Sequence, residues 1–233
     1  MASRDQVELS AERRRFAGWA WLVAGLGVLI GEAIAAAAFK PRYSYAANYF
    51  SDLGVPVCDV VVAGRPICSP LHIAMSLGLG THAALLLVGF VIALGAAPRR
   101  GARLILVLAG LQAIGAALVL LFPGPPPTVP DRSLPYHVLG AVAAIVCGNL
   151  VILAWAWPGV REVPGWLWLA RRVLPIIGLL AIGGLLRAQV THDFLFGEGT
   201  WERISIYTIF GWEIAAGAWL LRSKGAVPTK PAG

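Results

Sequence analysis

Six apolar runs dominate the chain: Phe16–Phe39, Leu71–Ala97, Leu104–Phe122, Tyr136–Trp157, Val173–Val190 and Ile204–Leu221. At 1.5 Å per residue each spans roughly 27–40 Å as helix, enough for a hydrocarbon core of about 30 Å. The runs lack the alternation of barrel strands, and a bilayer offers no water to unpaired backbone, so only helices fit them. The composition agrees, with 58% hydrophobic residues, 13% charged and a mean hydropathy of +0.74. Six spans and their loops account for the 233 residues and leave no room for a soluble domain of ordinary size. The expected fold is all-α: a polytopic bundle of six transmembrane helices over 16–221, with tails 1–15 and 222–233.

The net charge of +7 points to topology and away from nucleic acid, because no long basic tract or aromatic-basic interleaving is present. The two tails and the second-to-third and fourth-to-fifth connections hold 13 basic and 4 acidic residues, against 6 and 8 elsewhere. That bias predicts both termini in the cytoplasm of a multi-pass plasma-membrane protein. The basic start, apolar run and small residues Ala35–Ala38 also resemble a cleaved signal. A retained first helix is preferred, since the run exceeds the usual signal core and cleavage would put the basic C-terminal tail outside.

The first outer loop, Lys40 to Pro70, contains YSYAANYFSDLG at 43–54. A short interfacial helix over Ser44–Leu53 would set Asn48, Ser51 and Asp52 on one face. Its tyrosines suit a membrane interface. It would then be either a flat aromatic belt or a lid over a cavity. Cys58 and Cys68 share this loop, and a turn at Ala63-Gly64 would bring their sulfurs together as a disulfide.

Other polar residues gather at the same boundary: His137 at the start of the fourth run, His192-Asp193 after the fifth, and Glu202-Arg203 before the sixth. Glu32, Arg187 and Glu213 fall inside the runs, where a charge is expensive and tends to mark function. Depth along the helices matches Glu32 to Arg187 as an ion pair, and places His82, Gln112 and Glu213 near mid-membrane. The bland alternative is two polar networks that fix helix register. Gly27, Gly31, Gly178, Gly183 and Gly184 read as close-packing positions.

With Asn48-Tyr-Phe-Ser51-Asp52-Leu-Gly54, the proline-ended third run, His137 and Glu202-Arg203 in order, the chain resembles a family of prokaryotic six-helix membrane proteins. That family is the domain of unknown function 998. The resemblance covers about Phe16 to Leu221 and implies a fold without an assigned reaction. A looser similarity is to ceramidase-like membrane hydrolases, which imply Ser, Asp and three His around zinc. Here Ser51-Asp52 is present, but His72, His82, His137 and His192 stand singly and no His-x-x-x-His occurs.

The leading expectation is a non-catalytic membrane protein that binds a lipid or small amphiphile in an outward-facing polar cavity, with no cofactor and protein partners unspecified. Its binding candidates are Asn48, Asp52, His137, Glu32, Arg187 and Arg203. The first alternative is a metal-dependent lipid hydrolase using Ser51, Asp52, His137, Glu202 and Arg203, with zinc candidates His72, His137 and His192. The second is a proton-coupled transporter using Glu32, Glu213 and His82, although the sequence shows no internal repeat. Rossmann, P-loop and Gly-x-Ser-x-Gly signatures are absent.

Overall fold

A computed structural model describes residues 9–58, 60–62, 64–95, 101–123, 134–155, 163–191 and 195–223. A helix occupies the greater part of each apolar run. The helices are α1 (Ala11–Ala38), α2 (His72–Leu94), α3 (Ala102–Leu121), α4 (Leu134–Ala154), α5 (Gly165–Thr191) and α6 (Glu198–Arg222). Each is long and apolar enough to cross a membrane.

Three helices start well ahead of their apolar runs. α1 starts at Ala11, where Ser10 caps it by accepting from Arg13 N at 3.3 Å. α5 starts at Gly165 and α6 at Glu198, ahead of the apolar starts Val173 and Ile204. Backbone hydrogen bonding continues through Trp, Arg and Glu, so hydropathy marks the lipid-crossing part of a helix and not its termini. Pro175 lies inside α5, as bundle helices tolerate.

Neighbours in sequence are neighbours in space from α1 through α6, and α6 closes the ring against α1. On α1 the exposed Phe16, Trp19, Val23, Leu26, Ile30 and Ile34 recur at helical spacing. The opposite stripe, including Trp21, Ala24, Val28 and Ala35, is fully buried. Lipid is as apolar as the core, so this division reflects packing more than hydrophobicity. Close approach requires small residues: a Cβ on Gly31 would lie 2.5 Å from Ala74 O of α2.

The start of α1 meets the end of α6, with Gly18 beside Gly217 and Leu221. Deeper in the same half, Trp21, Phe90, Trp155 and Trp212 form an aromatic cluster with ring centroids 5.0–5.9 Å apart. The opposite half carries the 39–71 connection and is called the loop end below. That connection does not form one α-helix over 44–53. Turns at 45–48 lead into a short 3-10 helix at Ser51–Gly54. The reason is local: Asn48 Oδ1 accepts from Ser44 N at 3.1 Å and Asp52 Oδ2 from Tyr49 N at 3.0 Å. Such side-chain bonds to backbone compete with a continuous helix.

Beyond it, β1 (Val60–Val62) pairs antiparallel with β2 (Arg65–Ile67), Val62 opposite Arg65. Gly64 takes φ 79° in the turn, and Cys58 is disulfide-bonded to Cys68.

Candidate functional site

The residues that build the loop end begin with α6, whose first turns receive the 39–71 connection. Gly197 and Gly199 admit the backbone of Ala46 and Asn48 so closely that a Cβ on Gly199 would lie 2.0 Å from Asn48 O. Thr200 N donates to Ala46 O at 3.2 Å. One turn on, Arg203 gathers the connection and α1 together. Its Nε donates to Glu32 Oε1 at 2.9 Å. Its Nη1 donates to the carbonyls of Tyr45, Asn48 and Gly199 at 2.8, 2.8 and 3.1 Å. Its Nη2 donates to the Tyr43 hydroxyl.

The guanidinium lies 5.1 Å from the Tyr43 ring and 4.9 Å from the Tyr45 ring. A planar five-donor fork suits this many-sided contact, and an ammonium does not. Glu32 completes its coordination with the Tyr207 hydroxyl, which donates to Oε2 at 2.5 Å. Arg203 and Glu32 are both buried, so each offsets the other's desolvation.

Glu32 therefore pairs with Arg203, and the expected partner Arg187 stands exposed on α5. α1 packs against α2 and α6, and the charged partner of Glu32 comes from α6.

A second arginine holds the connection from the other side. Arg65 of β2 pairs with Asp52 Oδ2 at 3.5 Å and with Glu198 at the start of α6. Its guanidinium covers the Tyr49 ring at 4.6 Å. Asp52 also accepts from Asn48 Nδ2 at 3.2 Å. Burial pushes the Asp52 carboxyl above its ordinary range, with Arg65 opposing the shift. Burial likewise raises the Tyr43 and Tyr49 phenols, which stay protonated as hydrogen-bonding groups. Glu202, adjacent to Arg203 in sequence, has a separate role: its Oε2 accepts from Phe50 N at the start of the 3-10 turn.

Thus Asn48, Asp52, Glu32, Glu202 and Arg203 come together at the loop end. Ser51 is half-buried in the wall of a small cavity below them. His137 is apart, its Nδ1 2.7 Å from Phe122 O at the end of α3. His72 Nδ1 lies 3.2 Å from Ser69 O at the start of α2. His192 and Asp193 lie outside the described residues. Among the described residues, no three His, Cys, Asp or Glu side chains gather as a metal site. His72 stands at the start of α2 and His137 in the first turn of α4, and neither joins a group of three such side chains among the described residues.

Sequence reasoning did not single out Arg65, Glu198, Gln189 or Thr200. A signal for Arg65 existed, as a lone cation inside the disulfide loop on the acid-rich side. Gln189 donates to the Tyr49 hydroxyl and, at 3.4 Å, to Glu198 Oε1, so α5 also holds the connection.

Beside this network a cavity of about 590 Å3 opens between α5 and α6, lined by Tyr45, Ala46, Leu174, Thr200, Arg203, Ile204, Tyr207 and Thr208. Thr200, Arg203, Ile204, Tyr207 and Thr208 recur at i, i+3, i+4, i+7 and i+8, one face of α6. By helix rise the cavity extends about 12 Å from the loop end toward the middle of the bundle. The Tyr45 hydroxyl, on a half-exposed side chain, makes no hydrogen bond with the described residues.

No curated protein and no solved structure matches the chain. A family model described as "Protein of unknown function (DUF998)" matches residues 22–219. That match takes in all six helices and the arginine-bound connection between α1 and α2, and the chain belongs to the DUF998 family.

Proposed function

We propose that the protein binds a lipid or small amphiphile in the cavity between α5 and α6, with the polar end at the loop end and the tail along Leu174 and Ile204. The observation that carries this reading is the 590 Å3 cavity itself, apolar along most of its wall and polar only at Arg203, Tyr45, Tyr207 and the two threonines. Ligand sites have this chemistry: apolar walls and a few convergent polar groups. The Arg203–Glu32 pair is internally neutralised, so the site favours a head that accepts hydrogen bonds, such as a carbonyl or phosphate, over one selected by net charge.

The charge bias of the tails and connections supports a plasma-membrane orientation with the loop end outside and both termini cytoplasmic. On that orientation the cavity would draw its ligand sideways from the outer leaflet. No comparable observation supports the hydrolase alternative.

Native mass spectrometry of the full chain, extracted in mild detergent, tests the proposal. A co-purifying lipid or amphiphile is expected, and Leu174→Trp, which fills the cavity from α5, should lose it while the thermal unfolding midpoint holds. Retention unchanged by Leu174→Trp, or no adduct on the wild-type chain, would overturn the reading.

A further inference from the structure

Among the described residues, Glu213 Oε1 and Gln112 Oε1, deep in the bundle, have no hydrogen-bond partner; Glu213 is 0% and Gln112 1% exposed. Between these side chains lies His82, also buried. His82 Nδ1 is 3.1 Å from Glu213 Oε2, and His82 Nε2 is 3.1 Å from Gln112 Nε2. The Phe210 ring meets the imidazole edge-on at 4.8 Å. Among the described residues, His82 is the one group that Glu213 bonds to.

A carboxylate so placed, with no Lys or Arg against it, is costly to keep charged. Sharing one additional proton with His82 removes most of that cost, because the pair is then neutral overall whether the proton rests on the ring or on the carboxyl. Gln112 accommodates both forms. Its amide nitrogen donates to a bare Nε2, and after a flip its oxygen accepts from a protonated Nε2.

The triad is connected to the loop end. A cavity of about 50 Å3 is lined by His82 and Gln112 at one side and by Glu202, Ser51 and Phe50 at the other. That space is large enough for water, and Gln112, Ser51 and Glu202 line it as polar partners that water would require. Other titratable groups are committed elsewhere: Glu32 of α1 to Arg203 and Tyr207, and Asp52 to Arg65. α4 contributes Ala141, Ala144 and Ile145, none of which titrates.

We infer that His82 and Glu213 form a proton-binding site at the middle of the bundle, loaded from the loop end through water in the cavity beneath Glu202. The site is separate from the amphiphile cavity and does not depend on that reading.

Infrared difference spectroscopy on the full chain in lipid, taken between acid and alkaline buffers, tests the site. A carboxyl band that titrates, shifts on transfer to D2O without unfolding, and is absent in Glu213→Gln is expected. His82→Gln should move its midpoint to higher pH, since the anion loses its partner. Ala144→Leu, which narrows the cavity, should slow the deuterium shift. Should Glu213→Gln fail to fold, ring 15N signals of His82, assigned from His82→Gln, are expected to report the same titration in the wild-type chain. A wild-type chain with neither a titrating Glu213 band nor a titrating His82 ring would overturn the site and leave a sealed structural network. An exchange rate untouched by Ala144→Leu would overturn the route.

Discussion

Arg203 of α6 and Glu32 of α1 are 171 residues apart in sequence and 2.9 Å apart at Nε and Oε1. The pair ties the first and last helices of the bundle together, and the same guanidinium holds three carbonyls around the 39–71 connection. Breaking it leaves an uncompensated buried charge. Arg203→Ala is expected to cost about 3–5 kcal/mol, the usual loss when one partner of a buried pair is removed. Arg203→Lys should recover little of it, because a single ammonium cannot serve Glu32, the carbonyls and Tyr43 together. Thermal unfolding in detergent checks both variants.

Glycines separate close contact from open space along the same helices. Gly199→Ala drives a Cβ to 2.0 Å from Asn48 O, a backbone atom with no rotamer to move away. A loss of roughly 1–3 kcal/mol is expected, the ordinary cost of overpacking. Gly183 has nothing within 4 Å of an added Cβ. Gly183→Ala should therefore be neutral or gain up to about 1 kcal/mol from helix propensity. The comparison needs only the two midpoints and fails if Gly199→Ala unfolds no earlier than Gly183→Ala.

Asp52 ties stability to pH. Its folded pKa is raised above the ordinary 3.8 by burial, so the folded chain binds more protons than the unfolded chain between that value and the raised one. This residue's contribution therefore declines as pH rises through that window. Asp52→Asn should flatten that part of the profile while losing the Arg65 pairing. Unfolding midpoints of both chains measured from acid to neutral pH show whether the slope belongs to Asp52.

Cys58 and Cys68 close a short loop that presents Arg65 to Asp52 and Glu198. Replacing both with Ala should lower stability by roughly 2–3 kcal/mol through added freedom of the unfolded loop. Faster hydrogen exchange at 60–67 should accompany it. Unchanged exchange there would show that the strands and Arg65 hold the hairpin without the cross-link.

Six membrane-spanning helices could be read directly from apolar runs, because a bilayer accepts only chain whose backbone is satisfied internally and whose side chains are apolar for about 20 residues. The place of a charged residue along its helix could be read as well, since helix rise is constant. That is why Glu32, Glu202, Arg203, His82, Gln112 and Glu213 are legible in the sequence as polar residues within or at the edge of apolar runs. Depth carries no azimuth, however. Helix rise leads from Glu32 to Arg187 of α5, and the structure pairs Glu32 with Arg203 of α6.

Glu202 and Arg203 look like one motif in sequence, yet successive residues on a helix point about 100° apart. Arg203 reaches Glu32 of α1 and the carbonyls of Tyr45 and Asn48, whereas Glu202 reaches Phe50 N farther along the same connection. The short segment at 43–54 was read by helical spacing and folds instead through side-chain bonds of Asn48 and Asp52 to backbone.

By itself the sequence determined the number of helices, their apolar character and the place of each charge along its own helix, all of which follow from local chemistry along one chain. Only the tertiary structure decided which charges meet, where a cavity opens between α5 and α6, and that Arg65 belongs with Asp52. Those outcomes depend on how helices turn and pack about one another. In a bilayer that choice rests on small-residue contacts and polar pairing between distant segments, which no single segment encodes.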